Sequence, residues 1–370
     1  MKNTQMLKLI LVLTSTTTFI FFILFIYFYC KRASKKELEE DIEKTDKYSK
    51  HGGDHNGVQG DDEELLVTFQ GGEDLSICDI LDAPGEVIGK SNYGTLYKAF
   101  LQSSNSVRLL RFLRPVCTTR GEDFEQVIRS LGSVRHPNLV SLLGFYAGPR
   151  GEKLLVHPFL RRGNLSHFIR ECNHEAQKWA TIYKISVGIA KGLDHLHSGP
   201  EKPIIHGNLK SKNILLDRHF QPHISDSGIH LLLNPTAGQE ILESLASQGY
   251  KAPELIKMKE ACEVTDIYSL GVIYLELLTG KEPVNENPTT PEEDFYLPNF
   301  LRNAVLGHRI ADLFHPNILL TSSGTDDEQV PVSEERILKF FQLAMACCSP
   351  SPSLRPNIKQ VLWKLEEIGK

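Results

Sequence analysis

Apolar and polar positions divide this chain into three regimes. From Leu9 to Tyr29 no charged residue occurs. About 21 residues rising 1.5 Å each reach roughly 31 Å, one hydrocarbon core, so the pattern predicts a single transmembrane helix over 9–30. From Lys31 to about residue 74 the chain is charged and rich in Gly and His (Lys35 to Lys50, then His51-Gly52-Gly53-Asp54-His55-Asn56-Gly57), and no apolar periodicity survives. Such a segment cannot bury enough surface to order itself and reads as a flexible linker over 31–74. From Leu75 onwards periodicity returns. Val87 to Ala99 alternates like a strand, turns at Gly89 and Gly94, and alternates again, and Val107 to Leu113 predicts a further strand. Helical spacing appears over roughly Glu122 to Val134, Ile182 to Leu196 and Tyr268 to Leu278, the last closed by Gly280.

Flanking charge orients the apolar run. Lys31, Arg32, Lys35 and Lys36 follow it, against Lys2, Lys8 and the amino terminus before it. The stronger positive flank belongs in the cytosol, which places residues 1–8 outside and 31–370 inside. A cleaved signal peptide would have an apolar region of ~7–15 residues and a small-residue cleavage site; this run is longer and ends in aromatics and Cys30. The hydroxyl patch from Thr14 to Thr18 is tolerable there because Ser and Thr bond back to helix carbonyls.

Composition narrows the function classes. The chain has 370 residues, 41% of them apolar, enough for one large domain or two lobes. A formal charge of -5 supplies no basic field, which argues against nucleic acid as a partner. The seven cysteines are odd in number and lack metal-ligand spacing, as expected of reduced thiols in the cytosol. No internal repeat is present, and His51 and His55 lack partners for a metal site.

A series of ordered motifs carries the chemistry. His136-Pro137-Asn138-Leu139-Val140 and Leu143-Gly144-Phe145-Tyr146 precede Lys153-Leu154-Leu155-Val156-His157-Pro158-Phe159. Then come His206-Gly207-Asn208-Leu209-Lys210-Ser211-Lys212-Asn213, Asp226-Ser227-Gly228 and Gly249-Tyr250-Lys251-Ala252-Pro253-Glu254, followed by Asp266-Ile267-Tyr268-Ser269-Leu270-Gly271 and Leu354-Arg355-Pro356. In that order they make the chain from about 75 to 370 resemble the cytoplasmic kinase domain of plant leucine-rich-repeat receptor-like kinases, most of all their catalytically degenerate members. The resemblance implies an α+β, bilobal protein-kinase fold: a small β-rich N-lobe and hinge over 75–160 and a larger helical C-lobe over 161–370. It further implies that Glu254 pairs with Arg355 and that Asp266 caps the catalytic-loop backbone.

Against that family the chain departs where phosphoryl transfer needs a particular side chain. Asn208 stands for the base aspartate, and an amide has no basic lone pair. Ser91 replaces the middle glycine of the phosphate loop. Val107 and Leu109 fit the core-facing positions of the next strand, which puts Leu110 at the phosphate-pairing lysine and Arg108 in the adenine slot. Shifting by one residue brings Arg111 to that position but turns Arg108 towards the core, so the first register is preferred. Val127 takes the place of the glutamate that holds the lysine, Ser227 that of the metal-loop phenylalanine, and Gly207 that of the arginine that receives an activation-segment phosphate. By the last change, phosphate on Thr236, Ser244 or Ser247 should not switch the domain on by Arg–phosphate ordering.

A partial set remains. The resemblance implies that Asn213 and Asp226 bind Mg²⁺ and that Gly89, Gly94 and Lys210 contact the phosphates of ATP. An equally open reading has Asn213 and Lys210 bracing the loop and Asp226 solvated. A general base contributes ~10²–10⁴-fold, so Asn208 alone leaves a slow enzyme. Loss of the lysine–glutamate pair removes much of the electrostatic positioning as well. The expectation is a single-pass plasma-membrane pseudokinase with a cytoplasmic kinase-like domain that regulates or scaffolds receptor kinases or their substrates by binding. The alternative is a weak or atypical ATP-dependent serine/threonine kinase.

Overall fold

The structure is a computed structural model that describes residues 64–119, 122–171, 174–258, 260–285, 295–306, 313–314, 318 and 334–370. The predicted extracytosolic stretch 1–8, the transmembrane helix 9–30 and the linker up to 63 lie outside the described residues. Within the described residues no helix is long and apolar enough to cross a membrane.

The N-lobe is built on an antiparallel sheet with strand order β1-β5-β6-β4-β3-β2. Its strands are β1 (Leu65–Thr68), β2 (Gly85–Ser91), β3 (Gly94–Leu101), β4 (Ser106–Leu113), β5 (Gly144–Ala147) and β6 (Lys153–Pro158). Two helices belong to it, α1 (Ile77–Asp82), capped by the Ser76 hydroxyl on Asp79 N, and α2 (Glu122–Ser133). Strand β1 corrects the expected linker boundary: Leu65 to Thr68 pair in register with Ala147 to Gly144. The folded part therefore begins before Leu75, and Asp74 belongs to it.

The C-lobe contains α3 (Leu165–Arg170), α4 (Trp179–Ser198), the β7 (Ile214–Leu216) and β8 (Pro222–Ile224) hairpin, and α5 (Pro235–Ser247). It continues with α6 (Glu263–Thr279), α7 (Leu297–Leu306), α8 (Glu334–Cys347) and α9 (Ile358–Gly369). Every residue of α6 from Thr265 to Thr279 is buried, the carboxylates Asp266 and Glu276 included, so the helix runs through the core of its lobe. Gly280 ends it at φ 68°, donating its N–H to Glu276 O. Around α6, Ile185, Leu193, Tyr274 and Phe340 form the centre of the main core.

Two polar arrangements implied by the resemblance hold this frame. Arg355 meets Glu254 bidentately at 2.5 and 2.7 Å. Buried Asp266 accepts N–H bonds from His206 at 2.8 Å and Gly207 at 3.0 Å.

Helix α5 links the lobes. The Asn234 side chain caps it on Ala237 N and Pro235 occupies its first turn. Ala237 and Ile241 pack into a cluster with Tyr93, Phe124, Ile128 and Leu232, whereas Leu242 and Leu245 join the C-lobe core. One amphipathic helix thus buries different residues of its apolar side in each lobe.

Candidate functional site

The strand that should present a phosphate-pairing side chain is β4, and its register differs from the expected one. Leu110 packs in the N-lobe core with Leu75, Ile80, Ala99 and Val156. Arg111 is on the other face, 4% exposed, and its guanidinium forms an ion pair with the Asp226 carboxylate. Arg108, expected in the adenine slot, instead reaches Asp74 at 3.0 Å. The physical reason is that an arginine turned towards the core side needs a carboxylate there. Asp74 supplies it, from a segment assigned to the linker by sequence.

Arg111 holds its charge firmly. Burial opposes ionisation, but Asp226 and the Tyr93 hydroxyl outweigh it and raise the guanidinium pKa above its ordinary value. Tyr93 comes from the phosphate loop, is itself buried, and lies 3.4 Å by its hydroxyl from Arg111 Nη1 with its ring 5.8 Å from the guanidinium carbon. Burial, and then the Asp226 charge, push the phenol pKa up, so it is a neutral partner. Asp226 sits at φ 63°, a left-handed conformation that costs a non-glycine residue about 1–3 kcal/mol and persists only where its surroundings hold it.

The position expected for the glutamate, Val127 on α2, packs against the Tyr93–Phe124–Ile241 cluster. The space between α2 and α5 is therefore filled with apolar side chains. Ser227 places its hydroxyl where it has no hydrogen-bond partner, beside a small cavity of about 50 Å³ lined by Arg111, Leu131, Leu155, His157, Asp226 and Leu232.

The phosphate loop is closed by its own residues. Ser91 Oγ donates to Gly94 O at 3.1 Å. Gly94 is required by strand pairing, because a Cβ there would lie 2.4 Å from Phe112 O. At Gly89 a Cβ would lie 3.3 Å from Leu96 Cδ1, a tight contact with a flexible side chain.

The catalytic-loop residues are braced from within. Asn208 is 3% exposed; its N–H donates to His206 Nδ1 at 3.1 Å, and its Oδ1 has no partner. Asn213 donates from Nδ2 to Asn208 O at 2.9 Å, while its carbonyl accepts from Ser225 N and Oγ. Burial lowers the Lys210 amine pKa, with Asp226 opposing and Lys212 and Arg111 adding to the shift. At Gly207 φ is 69°, and a Cβ would come within 2.7 Å of the His230 ring; no arginine fits there without moving His230.

Tested against Mg²⁺, this donor set does not fit as arranged. The Asp226 carboxylate already carries a guanidinium that does not ionise away, and a divalent cation would meet that charge. Among the described residues no group of three or more His, Cys, Asp or Glu side chains could hold a metal. Arg111 is the residue that the preferred register left out of the cleft. Two arginines three apart on one strand face opposite sides, and only the partners Asp74 and Asp226 decide which faces the cleft.

Known proteins agree with this architecture. The family described as protein tyrosine and serine/threonine kinase matches residues 83–365. The putative kinase-like protein TMKL1 of Arabidopsis thaliana is 38% identical over 91% of this chain and 48% of its own length. A probable leucine-rich repeat receptor-like protein kinase, IMK3, from the same plant is 39% identical over 82% of this chain and 37% of its own. This chain thus spans about half or less of the curated relatives it matches. Among solved structures, the maize SIRK1 kinase domain bound to AMP-PNP superposes with a TM-score of 0.71 at 28% identity, covering 83% of this chain and 100% of that one. The pseudokinase domain of BIR2, an immune regulator of the RLK/Pelle family, gives 0.62 at 32% identity, covering 76% and 80%. From the ordered motifs, the bilobal fold and these matches, the chain belongs to the protein tyrosine and serine/threonine kinase family, with plant leucine-rich-repeat receptor-like kinases and inactive receptor kinases as its relatives.

Proposed function

We propose that this chain is a membrane-tethered pseudokinase that regulates or scaffolds receptor-kinase signalling by binding other receptor kinases or their substrates, without transferring phosphate. One observation carries the reading: Arg111, from the strand that should pair with nucleotide phosphate, is spent on the Asp226 carboxylate that should hold metal. Each group neutralises the other. Phosphoryl transfer rests on positioning and charge stabilisation by those two groups, and Asn208 supplies no base besides. The frame that shapes the surface is meanwhile kept, in Glu254–Arg355 and in Asp266 on the catalytic loop. Support for a signalling role comes from relatives that include probable inactive receptor kinases and an immune-regulating pseudokinase.

The test uses the purified full chain, labelled ATP with Mg²⁺ or Mn²⁺, and a generic protein acceptor. The expected result is transfer no greater than that of an Asp226→Ala control, and no metal-dependent thermal stabilisation by ATP or ADP. Transfer that the control abolishes would overturn the proposal in favour of a weak serine/threonine kinase. The anchoring part is tested separately: full chain should sediment with membranes, and chain lacking residues 1–30 should not.

A further inference from the structure

Strand β1 lies at one end of the sheet and is bonded on one side only, to β5. An edge strand of four residues is the kind of element that opens without unfolding the rest. Its side chains nevertheless reach both apolar clusters of the N-lobe. Leu66 joins the one around Leu110, and Val67 the one that holds Phe124 and Ile128 of α2 with Ala237 and Ile241 of α5.

The residues after β1 grip α2 directly. Phe69 N–H donates to Leu143 O at 2.8 Å, and at Gly72 the backbone comes so close that a Cβ would lie 2.1 Å from the same carbonyl. The Phe69 ring sits on Gly132, in the last turn of α2, where a Cβ would meet the ring at 2.1 Å. Glycine weakens a helix; here its bare backbone is the seat of the ring. Arg135, two residues past the helix, closes the joint. Its guanidinium donates to Gly132 O at 2.8 Å and Val134 O at 2.7 Å, and also to Gln70 O at 3.0 Å and Leu142 O at 3.1 Å. One cation thus serves the carbonyls at the helix C-terminus, the segment after β1 and the approach to β5. Asp74, paired with Arg108 at 3.0 Å, anchors the far end.

An ion pair between β4 and α2 would fix the angle of the helix. With Val127 in its place, α2 meets the sheet through apolar contacts, which are non-directional, and through the Lys153 amine 3.6 Å over the Phe124 ring. Directional contacts come from Phe69 and Gln70. We propose that residues 64–74 are a strap that sets the position of α2 in place of that ion pair, and that lifting it loosens α2 and, through the shared cluster, α5. The inference rests on the membrane-tethered reading for its consequence: the chain coming from the bilayer joins the strap at residue 64, so a pull from the membrane side acts on the surface between the lobes.

The experiment compares the full chain with Phe69→Ala, Phe69→Leu, Gly132→Ala and the double alanine variant by hydrogen exchange of the α2, α5 and α6 amides. Phe69→Ala is expected to speed α2 and α5 exchange about tenfold or more, with a smaller change in α6. Phe69→Leu, which keeps apolar bulk without the flat ring, should fall between it and the parent. Gly132→Ala puts a methyl into the seat and should also speed α2 exchange, although alanine is the better helix former. In the double variant that methyl meets no ring, so exchange should be no faster than in Phe69→Ala alone. Unchanged α2 protection in Phe69→Ala, a rise shared equally by α6, or slower α2 exchange in Gly132→Ala would overturn the proposal. Full chain that does not sediment with membranes would overturn the tethering instead and leave the exchange pattern standing, so the two failures are distinguishable.

Discussion

Arg111 of β4 and Asp226 of the metal loop form an ion pair across the lobes, with side chains 5% and 13% exposed. Removing one partner leaves the other's charge buried without compensation, at a cost of about 3–5 kcal/mol, whereas an apolar replacement of both is close to neutral. Arg111→Met and Asp226→Leu are therefore each expected to destabilise strongly. The double variant should recover most of the loss. Urea unfolding of the four proteins closes this double-mutant cycle; additive single losses would show that the pair does not couple.

How much of this was legible beforehand depends on the range of the interaction. The helices α4 and α6, the Gly280 stop and the Glu254–Arg355 and Asp266 partnerships followed from local periodicity and motif order, because each is fixed by its own segment or by groups the family fold brings together. The register of β4 was not legible. In Arg108-Leu109-Leu110-Arg111 either alternation leaves one arginine on each face, and the decision belongs to Asp74 and Asp226, distant in sequence. The packing of α5 between the lobes was hidden for the same reason: its apolar positions Ala237 and Ile241 meet Tyr93 and Phe124, and nothing in 235–247 names those partners.

Gly207 can be tested from its backbone. A side chain there meets both the left-handed φ and the His230 ring at 2.7 Å. Gly207→Ala should cost about 1–3 kcal/mol, and Gly207→Arg at least as much, so restoring the family residue should damage this chain. His230→Ala in the Gly207→Ala background should return only the steric share. Thermal denaturation of the three variants reads this directly; an unchanged midpoint for Gly207→Ala would show that the loop relaxes freely.

The C-lobe frame gives a prediction on a different element. The Arg355 side chain is fully buried; besides Glu254 it donates to Ser349 O at 2.8 Å and Val264 O at 3.0 Å, and lies 5.0 Å from the Tyr268 ring centroid. Arg355→Ala should cost about 3–5 kcal/mol by leaving Glu254 and two carbonyls without their donor. Arg355→Lys should recover part of that but lose the bidentate fork. Chemical denaturation measures both, and equal losses would show that geometry adds nothing beyond charge.

His157 on β6 sets an acid limit. It stands opposite Leu109 in the sheet, with Nδ1 2.9 Å from Ser141 O. Burial depresses its pKa from 6.5 to about 4, the Ser141 carbonyl opposing and the nearby Arg111 adding to the fall. In the unfolded chain the imidazole takes up a proton below about pH 6.5, and in the folded protein only near pH 4. Protonation therefore favours unfolding across that window. The stability is fully present above pH 6.5 and is lost progressively down to about pH 4, by at most about 3 kcal/mol from this group, and less where water reaches the ring edge. Buried His206 and half-buried His230 shift in the same direction, so the test is a difference: the slope of stability between pH 6.5 and 4 should be shallower in His157→Gln than in the parent. Parallel slopes would place the acid sensitivity on the other histidines and remove it from the strand beside Arg111.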